Sequence, residues 1–423
     1  MQGNLIFSEE NMKRFIQGIH INRLFHLNSV DIPITDDSHY NLIITGKNGS
    51  GKTVLLNTIK DFINRTKDDK SLHFTNLEEQ IKILEKKFRE ATDEKFRSAV
   101  SFQLNNLKEE YDRLFGRINI LFNDIVYIYN QYRKGEFILA FYGASRNSRM
   151  VEPKNPTKPT INRTGNIYES SSKEFLNFLS DLKIQEALAR NEQQLTDADE
   201  ISAWFNDFEQ LLQELFSDSN LKLKFNYRNY SFTIRTGEKS FKFTELSDGF
   251  SAVLDIITDL ILKIEGQNSL TRAYNKEGIV FIDEIETHLH LQLQKAILPL
   301  LVRLFPKIQF IVTTHSPFVL NSIDCATVYD LEYHTLIKDG LSNASYSGIV
   351  EGYFKQDELS RDLRERLELY RKLTKKKELN DDDFAQISSL ETILSEIPDY
   401  LDLVVATEFK RLKLAFENRE DLQ

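Results

Sequence analysis

Residues 46–53 read Gly46-Lys47-Asn48-Gly49-Ser50-Gly51-Lys52-Thr53, directly after the apolar pentapeptide Asn41-Leu42-Ile43-Ile44-Thr45. A short apolar run of that kind forms a buried parallel strand. Downstream, Leu55, Leu56, Ile59, Phe62 and Ile63 recur at helical spacing. The glycine loop therefore joins a strand to a helix N-terminus, and the fold expected around it is α/β. Every fixed position of GxxxxGK[ST] is met. In that pattern the glycines let backbone N–H groups curl round phosphate oxygens, and the helix adds the positive end of its dipole. Lys52 then brings a point charge to the β- and γ-phosphates, and the Thr53 hydroxyl is a magnesium ligand.

A second apolar strand, Gly278-Ile279-Val280-Phe281-Ile282, ends in Asp283 and Glu284. Alone, this also reads as a strand followed by an acidic helix cap. Paired with a phosphate loop about 230 residues earlier, Asp283 is expected to hold Mg²⁺ through water. Glu284 is expected to polarise the attacking water as general base. Between them, Phe243-Thr244-Glu245-Leu246-Ser247-Asp248-Gly249-Phe250 leads into a helix. A serine and a glycine at a helix N-terminus can grip a γ-phosphate through hydroxyl, N–H groups and dipole together. Strand Ile308–Thr313 is followed by Thr314, His315, Ser316 and Pro317.

Elsewhere the patterning alternates between the two periods. Residues 14–33 alternate as paired edge strands do. From Leu77 to Ile118 apolar residues fall at spacings of four, three and four, then three, four and three, predicting a helical hairpin that breaks near Ala91 to Lys95. Two surface helices and a projecting coiled coil both satisfy that pattern. Strands are expected at Ile118–Phe122, Ile125–Tyr129 and Phe137–Tyr142. The loop Gly143–Arg163 follows, with three of the eight prolines and the basic residues Arg146, Arg149, Lys154, Lys158 and Arg163. Helices are expected at 173–190, 199–216, 251–264 and 291–305, and strands at 221–225 and 230–235. After Ser342 three stripes remain: Leu363, Leu367, Tyr370; Phe384, Ile387, Leu390, Leu394; and Val405, Phe409, Leu412, Phe416.

The 423 residues carry 54 basic and 64 acidic side chains, a net charge of −10. No general polyanion-binding surface is implied, and any nucleic-acid contact is a local patch. The single cysteine, Cys325, has no internal disulfide partner and reads as a buried thiol in a reducing compartment. No apolar run approaches the roughly 18 residues of a membrane span. A cytoplasmic protein, neither exported nor membrane-bound, is the expectation.

Leu246-Ser247-Asp248-Gly249-Phe250 resembles the LSGGQ signature of ABC-type ATPases. The order of phosphate loop, signature, acidic strand and strand-end histidine is also theirs, over roughly residues 14 to 333. The resemblance implies an ABC-type head with a mixed sheet that uses ATP and Mg²⁺. It places His315 against the γ-phosphate and sets Ser247 and Gly249 of one subunit on the nucleotide held by a partner's Lys52, in a head-to-tail dimer. The expected organisation is an ATPase domain from 1–75 and 117–345, an arm insertion at 76–116 and a helical module at 346–423 for partner or oligomer contacts.

Two departures stand out. Where the family places a glutamine after the first-lobe strand, this chain has Gly143-Ala144-Ser145-Arg146, so Arg146 is a candidate substitute. The segment Ile285-Glu286-Thr287-His288-Leu289-His290 replaces the usual loop, and its Glu286, His288 and His290 also allow a metal site. That DExExHLH form resembles the RecF/SMC/OLD-like branch, most of all the ATPases of the Septu and retron-associated PtuA type, with the PARIS AriA type second. The resemblance implies an ATPase of an anti-phage complex controlling a nuclease or toxin effector encoded nearby. The alternatives are a RecF- or Rad50-like DNA-clamping ATPase and a non-hydrolysing sensor. The missing glutamine counts against a transporter subunit, and no Asn-Lys-x-Asp guanine reader is present.

Overall fold

Asn41–Thr45 is buried at all five positions, as an unbroken apolar run requires, and the principal sheet is built around it. The structure, a computed structural model, describes residues 15–34, 40–67, 73–146, 150–153, 155, 157–159, 164, 166–265, 276–337, 361–376, 379–395, 409 and 411–416. In chain order come β1 (Ile16–Leu24), β2 (Leu27–Pro33), β3 (Asn41–Thr45), α1 (Lys52–Lys67), α2 (His73–Glu90) and α3 (Glu94–Phe115). Next are β4 (Ile118–Phe122), α4 (Ile125–Arg133), β5 (Phe137–Tyr142), α5 (Phe175–Asn191) and α6 (Leu195–Phe216). Then follow β6 (Lys222–Asn226), β7 (Ser231–Thr236), β8 (Lys239–Lys242), α7 (Asp248–Ile264), β9 (Glu277–Ile282), α8 (Leu291–Leu304) and β10 (Ile308–Thr313). The series ends with α9 (Pro317–Leu320), β11 (Ala326–Asp330), β12 (Thr335–Ile337), α10 (Arg361–Thr374) and α11 (Asp381–Ser395).

The fold is α/β, and the chain divides into two compact units, Met1–Ala344 and Ser345–Gln423. The principal sheet of the first has the order β12-β11-β3-β10-β9-β5. Its pairings are parallel except for the edge pair β11–β12. A second sheet, β2-β1-β4, and a third, β6-β7-β8, are antiparallel. One apolar core joins the second sheet, α1, α4 and the principal sheet through Ile19, Ile21, Leu55, Ile59, Tyr129, Phe137, Phe281 and Ile311. Aromatic contacts such as Trp204–Phe208 at 5.5 Å, Phe178–Trp204 at 5.6 Å and Phe205–Phe232 at 6.1 Å hold α5, α6 and the third sheet together.

The arm is a helical pair, α2 and α3. Asp93 ends the break between them by accepting the Phe96 N–H at 2.9 Å, an N-cap that starts α3. Its base packs into the apolar core through Leu77 and Phe115, with Phe62–Phe115 rings 5.5 Å apart. Phe96 and Phe102 are exposed.

One expected strand is a helix. Ile125, Val126 and Ile128 favour a strand by β-branching, yet Asp124 accepts the Tyr127 N–H at 2.8 Å and opens α4, which buries Ile128, Tyr129 and Tyr132. Residue burial at helical spacing outweighs local propensity. Cys325, expected buried, is half-buried beside Asn41. Of the basic loop, Arg149, Lys154 and Arg163 lie outside the described residues, and Lys158 is exposed.

In the second unit Leu367, Tyr370, Ile387, Leu390, Leu394, Phe409 and Leu412 share one apolar cluster, with Phe416 packed on it. Phe384 is exposed instead, and Val405 and the Leu363 side chain lie outside what is described. Among the described residues, no helix is long and apolar enough to cross a membrane.

Candidate phosphate-binding site

Parallel strands deliver their C-terminal ends to one edge of a sheet, and ligands of open α/β sheets bind there. Three such ends meet here. β3 leads into the loop 46–51, β9 into Asp283 and Glu284, and β10 into Thr314 and His315. Gly46 has φ +135°, and a Cβ on it would lie 2.8 Å from Ser50 Oγ, so the turn out of β3 requires a glycine. Lys47, Asn48 and Gly49 are exposed, whereas Ser50 is buried and Gly51 half-buried.

The Lys52 ammonium is buried inside the curl of this loop. It donates to the carbonyls of Gly46 at 2.7 Å and Lys47 at 3.0 Å, and to Ser50 Oγ at 3.4 Å. Burial pulls its pKa down, opposed by the carboxylates of Glu284, Glu286, Asp283 and Asp330. A lysine ammonium at the first residue of α1, beside the positive end of the helix dipole, favours an anion there.

Thr53 Oγ1 lies 3.3 Å from Asp283 Oδ1, which also accepts the Thr313 hydroxyl at 2.7 Å. Thr313 Oγ1 in turn accepts the Glu284 N–H at 2.7 Å. One threonine thereby fixes both acidic residues. Glu284 stands in the left-handed region at φ +44°, an uncommon backbone for a residue with a side chain. Its Oε2 accepts the Thr287 hydroxyl at 3.2 Å. Asp283 and Thr53 together offer hard oxygen donors, the set that suits Mg²⁺. The residues present fit a magnesium-bound polyphosphate.

Glu286 is an orienting residue. Its carboxylate accepts the Thr314 hydroxyl at 2.8 Å and the His315 N–H at 2.5 Å, pinning the end of β10. It does not join His288 and His290 in a metal site, and among the described residues no cluster of three His, Cys, Asp or Glu could hold a metal ion. His315 is half-buried; burial and the nearby Lys52 push its pKa down, while Glu286, Glu284 and Asp283 pull it up.

Arg146 is buried, and its guanidinium donates to three successive carbonyls. They are Asp283 at 3.2 Å, Glu284 at 2.5 Å and Ile285 at 3.4 Å. Arg146 thus grips the backbone of the acidic turn.

Ser247 caps α7 by position, is exposed, and makes no side-chain cap bond. Gly249 is buried, and a Cβ on it would lie 2.7 Å from the His288 carbonyl. The N-terminus of α7 therefore packs on the segment after Glu284, with the Phe250 and His290 rings 5.7 Å apart. No hydrogen bond joins Ser247 or Gly249 to the phosphate loop among the described residues, whereas Lys52, Thr53, Asp283, Glu284 and His315 converge within the one chain. Glu332, which sequence reasoning missed, holds Lys47 Nζ at 2.7 Å. No motif surrounds it; only the pairing of β11 with β3 brings it there.

A family model described as "AAA domain, putative AbiEii toxin, Type IV TA system" matches residues 42–321. The chain is similar to Septu protein PtuA of Bacillus mycoides (strain KBAB4), 26% identical over 324 residues, which cover 74% of this chain and 39% of that protein. It is also similar to the Retron Ec83 probable ATPase of Escherichia coli, 34% identical over 140 residues, covering 32% of this chain and 26% of that protein. The chain thus spans well under half the length of these relatives. Among solved structures, an SMC head domain from Thermotoga maritima aligns with a TM-score of 0.34 at 14% identity, covering 75% of this chain and 94% of that one. A nucleotide-free ATP-binding cassette from an ABC transporter aligns with a TM-score of 0.32 at 15% identity, covering 77% and 90%.

Proposed function

The chain belongs to the AAA-domain family that its residues 42–321 match, and from that premise we propose that it binds and hydrolyses ATP at the edge formed by β3, β9 and β10. The observation that carries this reading is the hydrogen-bonded series Thr53, Asp283, Thr313 and Glu284 beside Lys52. The loop N–H groups of Gly46 to Gly51 and the N-terminus of α1 bind the phosphates, and Lys52 releases its loop carbonyls to meet them. Thr53 and Asp283 would hold magnesium, which when bound supplies charge neutralisation between the β- and γ-phosphates. Glu284 takes a proton from the attacking water at its carboxylate, and His315 contacts the γ-phosphate from the end of β10.

The exposed, uncapped hydroxyl of Ser247 supports a site completed in trans. In a head-to-tail dimer, Ser247 and Gly249 of one subunit close on nucleotide held by the other. The similarity to proteins named for Septu and retron systems supports a place in an anti-phage defence complex, with closure controlling a separate nuclease or toxin effector. The arm at 76–116 and the helical module at 346–423 are the surfaces offered to such a partner.

The Glu284→Gln variant tests the assignment. It is expected to bind ATP as the parent does, to accumulate as a closed dimer on size-exclusion chromatography with ATP, and to lose turnover; unchanged hydrolysis would remove Glu284 as the base.

A further inference from the structure

The meander β6-β7-β8 faces two ways. Its register pairs Lys222 with Arg235, Lys224 with Thr233, Thr233 with Lys242 and Arg235 with Ser240. Side chains alternate between faces along a strand, so Lys222, Lys224, Arg235 and Lys242 share one face with Thr233 and Ser240. The opposite face carries Leu223, Phe225, Phe232, Ile234 and Phe241. Those rings point to the protein, with Phe225–Phe232 at 4.9 Å, Phe205–Phe232 at 6.1 Å and Phe216–Phe241 at 6.0 Å.

Residues 221–242 hold six basic side chains and one acidic, a net of +5 within a chain of net −10. Lys222, Lys224 and Arg235 are exposed and Lys242 is half-buried. Lys222 pairs with Glu209 at 2.8 Å, and Lys242 has Glu152 and Glu245 near it. Lys224 and Arg235 make no ion pair among the described residues.

Edge protection accounts for part of this, since lysines on the outer strands β6 and β8 discourage strand addition. It does not account for Arg235 on the central strand. There Arg235 lies directly across from Lys222, and like charges so placed cost stability. Glu209 offsets the charge of Lys222 and the Gly237 carbonyl accepts from Arg235 Nε at 3.4 Å, which leaves Lys224 and Arg235 as exposed cations without a carboxylate partner among the described residues.

Two residues along a strand is about 6.8 Å and two strand separations about 9.6 Å, so the cations form a flat patch wide enough for several phosphates. With the meander's Phe rings turned inward, the face has no stacking platform of the kind that binds single strands. Tyr227, exposed in the β6–β7 turn, has Arg228 over its ring. Lys242 is separated from Ser247 only by the short turn Phe243–Glu245 and Leu246, so whatever binds the face pulls on the strand leading into α7.

We propose that the outward face of β6-β7-β8 binds the phosphate backbone of duplex DNA through Lys222, Lys224, Arg235 and Lys242. Binding is independent of base sequence and steeply salt-dependent. Fluorescence anisotropy with a labelled mixed-sequence duplex, without nucleotide, reads it directly. Four phosphate contacts predict a slope of log K against log salt of about −3.6.

A Lys224→Gln, Arg235→Gln, Lys242→Gln variant is expected to bind at least about tenfold more weakly at low salt, with the slope reduced to about −0.9, and to keep its circular dichroism and Tm. The same variant made in a Lys52→Ala background separates this result from any effect on hydrolysis. A variant neutralising three arm lysines, Lys82, Lys86 and Lys87, is expected to bind as the parent does. Parent-like affinity in the meander variant, an equal loss in the arm variant, or tighter binding of single-stranded DNA or duplex RNA would each overturn the proposal.

Discussion

Arg146→Ala is the substitution whose consequences follow most directly from geometry. The guanidinium makes two strong contacts, to the carbonyls of Asp283 at 3.2 Å and Glu284 at 2.5 Å, and a long one to Ile285 at 3.4 Å. Hydrogen bonds from a charged donor are worth about 1.5–3 kcal/mol each, and the side chain is only 8% exposed, so solvent screens little of this. Truncation also removes one of the two cations that face Glu286, Asp283 and Glu284, Lys52 being the other, and takes a counter-charge from Asp255. A stability loss of about 3–5 kcal/mol is expected. The turn then relaxes from its left-handed residue, because φ +44° at Glu284 costs about 1–2 kcal/mol when nothing fixes it. Relaxation moves the Glu284 carboxylate while the loop around Lys52 stays put. A displacement of about 1 Å at a reacting group costs roughly a hundredfold in rate, so kcat falls by that order and KM for ATP changes little. Arg146→Lys cannot fork to three carbonyls and should recover only part of the rate. Steady-state ATPase kinetics, with Tm measured on the same samples, decide the matter. A kcat within twofold of the parent, or a loss no larger than the unfolded fraction, refutes positioning of Glu284 by Arg146.

Lys52→Ala and Ser247→Arg should each lack turnover alone, and an equimolar mixture should regain activity by forming one composite site per mixed dimer. No recovery in ATPase assays of the mixture counts against action in trans. For His315, the folded pKa lies below its ordinary value of about 6.5, so the unfolded chain binds more protons in the window between them. Its contribution to stability is complete above about pH 6.5 and is lost as pH falls through the lowered folded value. The drop in Tm across that window should therefore be smaller in His315→Asn than in the parent, and an identical drop would clear His315 of it.

Where local composition decides an element, the sequence was a sufficient guide. β3, α1, β9 and β10 are unbroken apolar runs or helical stripes, and each forms where its pattern predicts. Asp93 and the helical stripes likewise set the arm. α4 went the other way because β-branched residues and an N-cap competed over a few positions, and the cap together with burial of Tyr129 and Tyr132 prevailed. β11 gives no comparable signal: Ala326-Thr327-Val328-Tyr329-Asp330 mixes polar and apolar residues, yet all five are buried. Its pairing with β3 is long-range, and that pairing brings Glu332 to Lys47.

The site divides along the same line. Gly46 to Thr53, Asp283 and Glu284 are legible because contiguous residues make the chemistry. Thr313 is not, and for Arg146 and Glu286, both singled out in the sequence, the contacts they make are not, since each of the three acts on a strand end distant in sequence. α7 shows the limit most sharply. Asp255, Asp259 and Lys263 recur every fourth residue, which on an amphipathic helix marks a solvent face. All three are buried, because each has partners: Asp255 accepts the Ser170 and Ser172 hydroxyls, and Asp259 accepts the Ser171 N–H, the Tyr142 hydroxyl and Lys263. Burial of charge is tolerable only with such satisfaction, and those partners come from other segments. Tyr142 also accepts the Asp283 N–H through its own carbonyl at 2.8 Å. Helix α7 and the residue that follows β9 are therefore tied to one residue, four positions before Arg146. The end of β5 is thus where α7 and the acidic turn are both anchored, and Arg146 adds a second hold on that turn.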